Sequence, residues 1–195
     1  MNTTLLVIDA QRIYTDSDSN LFCADAKGTM RRINSLISYF QKRKRPVVLV
    51  RHVHRLDGSD LGRLFDFTGE PEEDFNFKKG SSEVQYDPTL TIPRGSAEIV
   101  KNRYSAFAGT PLAKILRRKR TARVTICGFM TNFCCESTAR AAHDLDFYVD
   151  FISDATGTPG TEKLDEKSIR KVVGELLGAG FARVFSTKQY LSSHK

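Results

Sequence analysis

Apolar runs of four to six residues recur along the chain, each bounded by glycine, proline, aspartate or a basic cluster. They fall in TLLVIDAQ (4–11), PVVLVRH (46–52), AEIVK (97–101), RVTICG (123–128), FYVDFISD (147–154) and ARVFST (182–187). Most are continuous and rich in Val and Ile, the pattern of strands covered on both faces. Between them the spacing changes to helical. Ile33, Leu36, Ile37 and Phe40 share one stripe within 29–41. Residues 110–120 open with Thr110 as an N-cap and Pro111 at the first helical position, followed by Leu112, Ile115 and Leu116. Helices are also expected over 132–145 and 163–178, with Gly180 as the stop of the last. This alternation predicts an α/β fold of three αβα layers around a Rossmann-like, six-stranded parallel sheet. Segment 53–96 breaks the rhythm and is expected to form an irregular cover.

Composition narrows the setting. The 195 residues suit a single domain over 1–195, with 40% hydrophobic and 27% charged residues. The N-terminal stretch has no basic region followed by a long apolar run, so no secretory signal is expected. No stretch reaches membrane-spanning length. The four cysteines, Cys23, Cys127, Cys134 and Cys135, lack paired metal spacing and read as free thiols, which implies a cytoplasmic protein. The net charge of +7 is concentrated in QKRKR (41–45) and RRKR (117–120). Each run closes a helical segment, where cations offset the negative end of the helix dipole. Neither carries interleaved aromatics, so no nucleic-acid partner is expected.

Candidate chemistry lies at the strand ends, because open parallel sheets bind ligands beyond the carboxyl ends of their strands. The first strand runs into Asp9, the third ends at Lys101, and the fourth leads through Gly128 to Cys134. A carboxylate, an ammonium and a thiol on one rim are what thiol chemistry requires. A helix N-terminus and the ammonium would lower the thiol pKa from its usual value near 8.5, and the carboxylate could relay its proton. Cys135 shares a helical stripe with Ala139 and Ala142, which suits packing, so Cys134 is the better nucleophile.

Three stretches, VIDAQRIY (7–14), VKNRYSAFAGTPLAKIL (100–116) and ICGFMTNFCCESTARAA (126–142), make the chain resemble the isochorismatase-like cysteine hydrolases. That group includes isochorismatases, nicotinamidases, carbamoylsarcosine amidohydrolases and ureidoacrylate amidohydrolases, and RHVHRLDGSDLGR (51–63) extends the likeness. The resemblance implies a catalytic triad of Asp9, Lys101 and Cys134. It also implies a cis peptide between Phe129 and Met130, and an oxyanion hole from the Met130 and Cys134 amides. Nicotinamidases carry an Asp-x-His-x-x-x-His metal site; the matching positions here are His52, His54 and Gly58. Only His54 of that set remains, and His52 with His54 alone makes too small a ligand set, so no metal cofactor is expected.

The function implied is hydrolysis of a C–N bond in a small amide or ureido compound through a thioester on Cys134. Gln11, Tyr14, His54, Tyr104 and Phe107 are the expected substrate contacts, and a homo-oligomer is the expected assembly. Two alternatives stay open: an isochorismatase-type vinyl-ether hydrolase that uses Asp9 and Lys101, and a non-catalytic binding or scaffold protein on the same fold.

Overall fold

A computed structural model of the chain describes residues 1–64, 66, 68–69 and 74–193. Six parallel strands form one sheet: β1 (Thr3–Ile8), β2 (Val47–His52), β3 (Ala97–Lys101), β4 (Arg123–Phe129), β5 (Tyr148–Gly157) and β6 (Arg183–Phe185). Their spatial order is β3-β2-β1-β4-β5-β6. The order reverses between β1 and β4, and a doubly wound sheet opens its ligand crevice at that switch point.

Every residue of β1 is buried, and its side chains alternate between two cores. Leu5 and Val7 face α2 (Ala26–Lys42) and α6 (Thr187–Ser193), packing with Ile33, Leu36, Ile37, Phe40 and Tyr190. Leu6 and Ile8 face the other layer, with Leu112 and Leu116 of α3 (Leu112–Arg118), Ala139 and Ala142 of α4 (Glu136–Asp144), and Ile169, Val173 and Leu177 of α5 (Glu166–Gly178). The three expected layers are therefore present. Only the central strands are covered on both faces; on the edge strand β3, Glu98 and Val100 are exposed. Among the described residues, no helix is long and apolar enough to cross a membrane.

Differences from the sequence pattern have local causes. The Thr110 hydroxyl accepts the Leu112 N–H at 3.3 Å, the contact of an N-cap, although regular helix begins one residue later than expected. Gly180 is not in the left-handed conformation of a helix stop; the Gly180, Phe181 and Ala182 amides instead turn back onto the Leu177 carbonyl. The short α1 (Arg12–Thr15) and α6 lie outside the expected helices. α6 carries a capping box: Gln189 N–H donates to the Ser186 hydroxyl at 3.2 Å, and Ser186 N–H donates to Gln189 Oε1 at 2.8 Å. The Ser-x-x-Gln spacing was the signal for it. Of the expected cover 53–96, residues 65, 67 and 70–73 lie outside the described set.

Candidate active site

The rim of the switch point is built from backbone that tolerates little change. Asp9 follows β1 in the left-handed region at φ 45. Gly128, near the end of β4, has φ 126, and a Cβ there would collide with the Ile8 carbonyl oxygen. This close approach, open only to glycine, sets β4 tightly against β1. The Phe129–Met130 peptide is cis. Beyond it the chain winds into one π-helical turn, Thr131–Cys135, in which Cys135 N–H donates to the Met130 carbonyl at 3.0 Å. The widened turn carries both cysteines before α4 begins, so an ideal helical stripe does not apply to them.

Asp9, Lys101 and Cys134 converge below a cavity of about 290 Å³. Lys101 Nζ lies 2.7 Å from Asp9 Oδ2 and 3.2 Å from Cys134 Sγ, and it also donates to the Arg103 carbonyl at 3.1 Å. The Asp9 and Lys101 side chains are wholly buried. Cys134 lines the cavity, whereas Cys135 lies in the core with Ala139 and Ala142.

Burial dominates the electrostatics. It pushes the Cys134 thiol up to about 12 against the pull of Lys101, with Asp9 adding to the rise. The lowered thiol pKa expected from the sequence is therefore not found: removal from water outweighs the ammonium and the helix end. Asp9 is also raised by burial, which exceeds the opposing effect of Lys101. Burial alone would lower Lys101, but Asp9 and Cys134 outweigh it and hold the ammonium above its ordinary value. The resting site is thus a protonated thiol beside a proton-hungry carboxylate, with one cation touching both.

The cavity walls are largely aromatic and neutral. Tyr14, Tyr104 and Met130 line it, joined by His52, Phe77, Asn132 and Phe133. Gln11 does not. Its side-chain nitrogen donates to the His52 and Val84 carbonyls and its oxygen accepts the His52 N–H, so it ties strand ends together. Phe107 is likewise absent, because it stacks on Phe147 in the core, ring centroids 6.0 Å apart. His54 stands behind His52 rather than in the wall. The sequence reading missed Phe77, which comes from the irregular segment 53–96, and Phe133, which sits in the π-helical turn next to Cys134.

A third missed residue is Asp60, six positions beyond His54. His52 Nε2 and His54 Nε2 are 2.9 Å apart, and His54 Nδ1 lies 3.3 Å from Asp60 Oδ1. Burial, then Lys101, lowers His52 well below its usual value. Burial lowers His54 too, although Asp60 opposes it. Burial would raise Asp60, but the Arg55 N–H, the Asn102 amide and His54 outweigh it and leave its carboxyl below the ordinary range.

Asp9, His52 and Cys134 each offer one ligand atom within 4.8 Å of the others, which raises the question of a metal. Two of the three side chains are already engaged by one ammonium, and the third through one ring nitrogen. Lys101 sits against both Asp9 and Cys134, and His52 Nε2 is turned onto His54 Nε2. A divalent cation would have to displace a buried ammonium and break the hydrogen bond between the two imidazoles. This arrangement does not fit a nicotinamidase-type metal centre.

A thiol, a carboxylate and an ammonium thus meet at the switch point of a doubly wound sheet. Residues 3–189 match the isochorismatase domain, and the chain belongs to the isochorismatase family of hydrolases. It is 32% identical over 179 residues to nicotinamidase 3 of Arabidopsis thaliana, spanning 91% of this chain and 81% of that one. A ureidoacrylate amidohydrolase of Methylorubrum extorquens is 32% identical over 94 residues, 48% of this chain and 38% of the relative. The crystal structure of a cysteine hydrolase from Pseudomonas syringae pv. phaseolicola 1448A superposes with a TM-score of 0.90 at 22% identity, over 98% of this chain and 91% of that one.

Proposed function

We propose that this hydrolase is a metal-independent cysteine amidohydrolase that cleaves the C–N bond of a small amide or ureido compound through a thioester on Cys134. The observation that carries this reading is the single ammonium, Lys101 Nζ, placed 2.7 Å from Asp9 and 3.2 Å from Cys134 Sγ beneath the cavity.

Because burial keeps the thiol protonated, the nucleophile is made in the encounter. The Cys134 S–H proton passes to Asp9 as sulfur bonds to the carbonyl carbon, and the C=O pair moves onto oxygen. The Met130 and Cys134 amides receive that oxyanion. Collapse breaks the C–N bond, and the leaving nitrogen takes the proton from Asp9. Water then gives a proton to Asp9 as its oxygen attacks the thioester. The acid departs, and the proton returns to sulfur. Lys101 stays charged throughout and offsets the negative charge that alternates between Asp9 and the oxyanion. Amide activity in two relatives of comparable identity supports acyl chemistry over vinyl-ether hydrolysis.

The test is ammonia release from a panel of small carboxamides and ureido compounds, run on the native protein and on Cys134→Ala. Amide turnover that vanishes in the variant supports the reading. Turnover of a vinyl ether that survives Cys134→Ala would replace it with the isochorismatase-type reaction.

A further inference from the structure

His52 is the one imidazole in the cavity wall among the described residues, and its hydrogen-bond partners fix where its proton resides. An ionised carboxylate only accepts, so Asp60 Oδ1 takes a proton-bearing His54 Nδ1. A neutral His54 then has a bare Nε2, which can only accept from His52. His52 Nε2 therefore carries the hydrogen, and its Nδ1 is a bare lone pair. That Nδ1 is buried and, among the described residues, has no hydrogen-bond partner. Stacking on Phe77, with centroids 4.4 Å apart and planes 9° from parallel, holds the ring in place. A buried acceptor without a partner is costly to leave unmet.

The wall also lacks charge. No Lys, Arg, Asp or Glu lines the cavity among the described residues, and Lys101 is already committed to Asp9 and Cys134. A carboxylate on the substrate would be buried without a counter-ion among these residues. At about 290 Å³ the space is near the lower end of ligand pockets, large enough for one ring and its amide.

We propose that Asp60 and His54 are positioning residues that lock His52 in the Nε2–H tautomer. His52 Nδ1 then selects an uncharged, ring-sized carboxamide bearing a further N–H or O–H donor besides its amide. The inference rests on the amidohydrolase reading and narrows it. It also distinguishes this site from one built for nicotinamide, whose ring nitrogen is an acceptor and would meet another acceptor.

Four probes of similar shape test it: 3-aminobenzamide (a donor), benzamide (neither), nicotinamide (an acceptor) and 3-carbamoylbenzoate (an anion). Affinities are measured by calorimetry on Cys134→Ala, so that no turnover is needed, and ammonia release is followed separately on the native protein. The expected order is donor, then benzamide, then nicotinamide, with about tenfold between the first two, the scale of one hydrogen bond to a buried acceptor. The anion is expected to bind weakest. His54→Phe, added to that background, keeps a ring against Phe75 and Phe77 but breaks the relay. It should abolish the donor preference while changing benzamide affinity less than about threefold, as expected when one ring replaces another of similar bulk. Imidazole ¹⁵N shifts should report a pyridine-type Nδ1 and a pyrrole-type Nε2 for His52. The reverse tautomer, tighter binding of nicotinamide or of the anion, or no binding of any probe would overturn the proposal. The expected binding order without ammonia release by the native protein would support the role of His52 and overturn the amidohydrolase reading instead.

Discussion

Replacing Lys101 by methionine separates its electrostatic role from its bulk. The Asp9–Lys101 pair is wholly buried at 2.7 Å, so removing the ammonium leaves a carboxylate in the interior without a counter-ion. Breaking a buried pair from one side costs about 3–5 kcal/mol. For a chain of this size each kcal/mol lowers Tm by roughly 2–4 °C, which gives a fall of about 6–20 °C at neutral pH. The pH dependence carries the sign. Without Lys101 the folded-state pKa of Asp9 rises further above its unfolded value near 4. A raised carboxyl loses stability as pH climbs from the unfolded to the folded pKa and regains it as pH falls. The deficit of Lys101→Met should therefore be full at pH 7.5 and shrink toward pH 4.5. Thermal denaturation of both proteins across that range is the assay. A loss under 2 °C, or a deficit that grows on acidification, would refute the buried-charge account.

Other outcomes follow from the same geometry. Asp9→Asn should cut kcat/KM by about 10²–10⁴, the scale of general acid–base catalysis. It should also slow iodoacetamide alkylation of Cys134, because Asp9 is the base that takes the thiol proton as sulfur attacks; faster alkylation would contradict this. In the native protein the same alkylation should keep rising past pH 9 with no inflection near 8.5, since the thiol lies at about 12. A plateau below pH 8 would show a preformed thiolate. Gly128→Ala should destabilise by at least about 2 kcal/mol, from a strained φ and a clash with the Ile8 carbonyl, as read by denaturant unfolding. Ser186→Ala should cost about 1 kcal/mol by loss of the α6 cap, seen as a Tm shift of a few degrees.

Much of this was legible in the chain. Central strands such as Leu5-Leu6-Val7-Ile8 announce themselves because burial on both faces leaves no room for polar residues. Asp9, Lys101 and Cys134 could be placed on one rim because strand ends in a parallel sheet share a side. Pairwise distance and burial were not legible, and burial decides the protonation of Cys134. The cavity wall was less visible still. Phe77 lies 57 residues before Cys134 in sequence, and no periodicity joins it to the strands. Gln11 and Phe107 sit close to the motifs in sequence, yet backbone carbonyls and Phe147 claim their side chains. Asp60 was hidden because its role depends on a turn that brings it back to His54. The residues at 52, 54 and 60 invite a metal reading, and only the facing of the two Nε2 atoms argues for a proton relay.

The most direct measurement of the central claim is intact-protein mass spectrometry of acid-quenched turnover. The native protein is mixed with the best amide from the panel and stopped within the first turnovers. The account predicts an added mass equal to the acyl group, mapped to Cys134 and absent from Cys135. It predicts no adduct and no ammonia release in Cys134→Ala. Undiminished amide turnover by Cys134→Ala would contradict it.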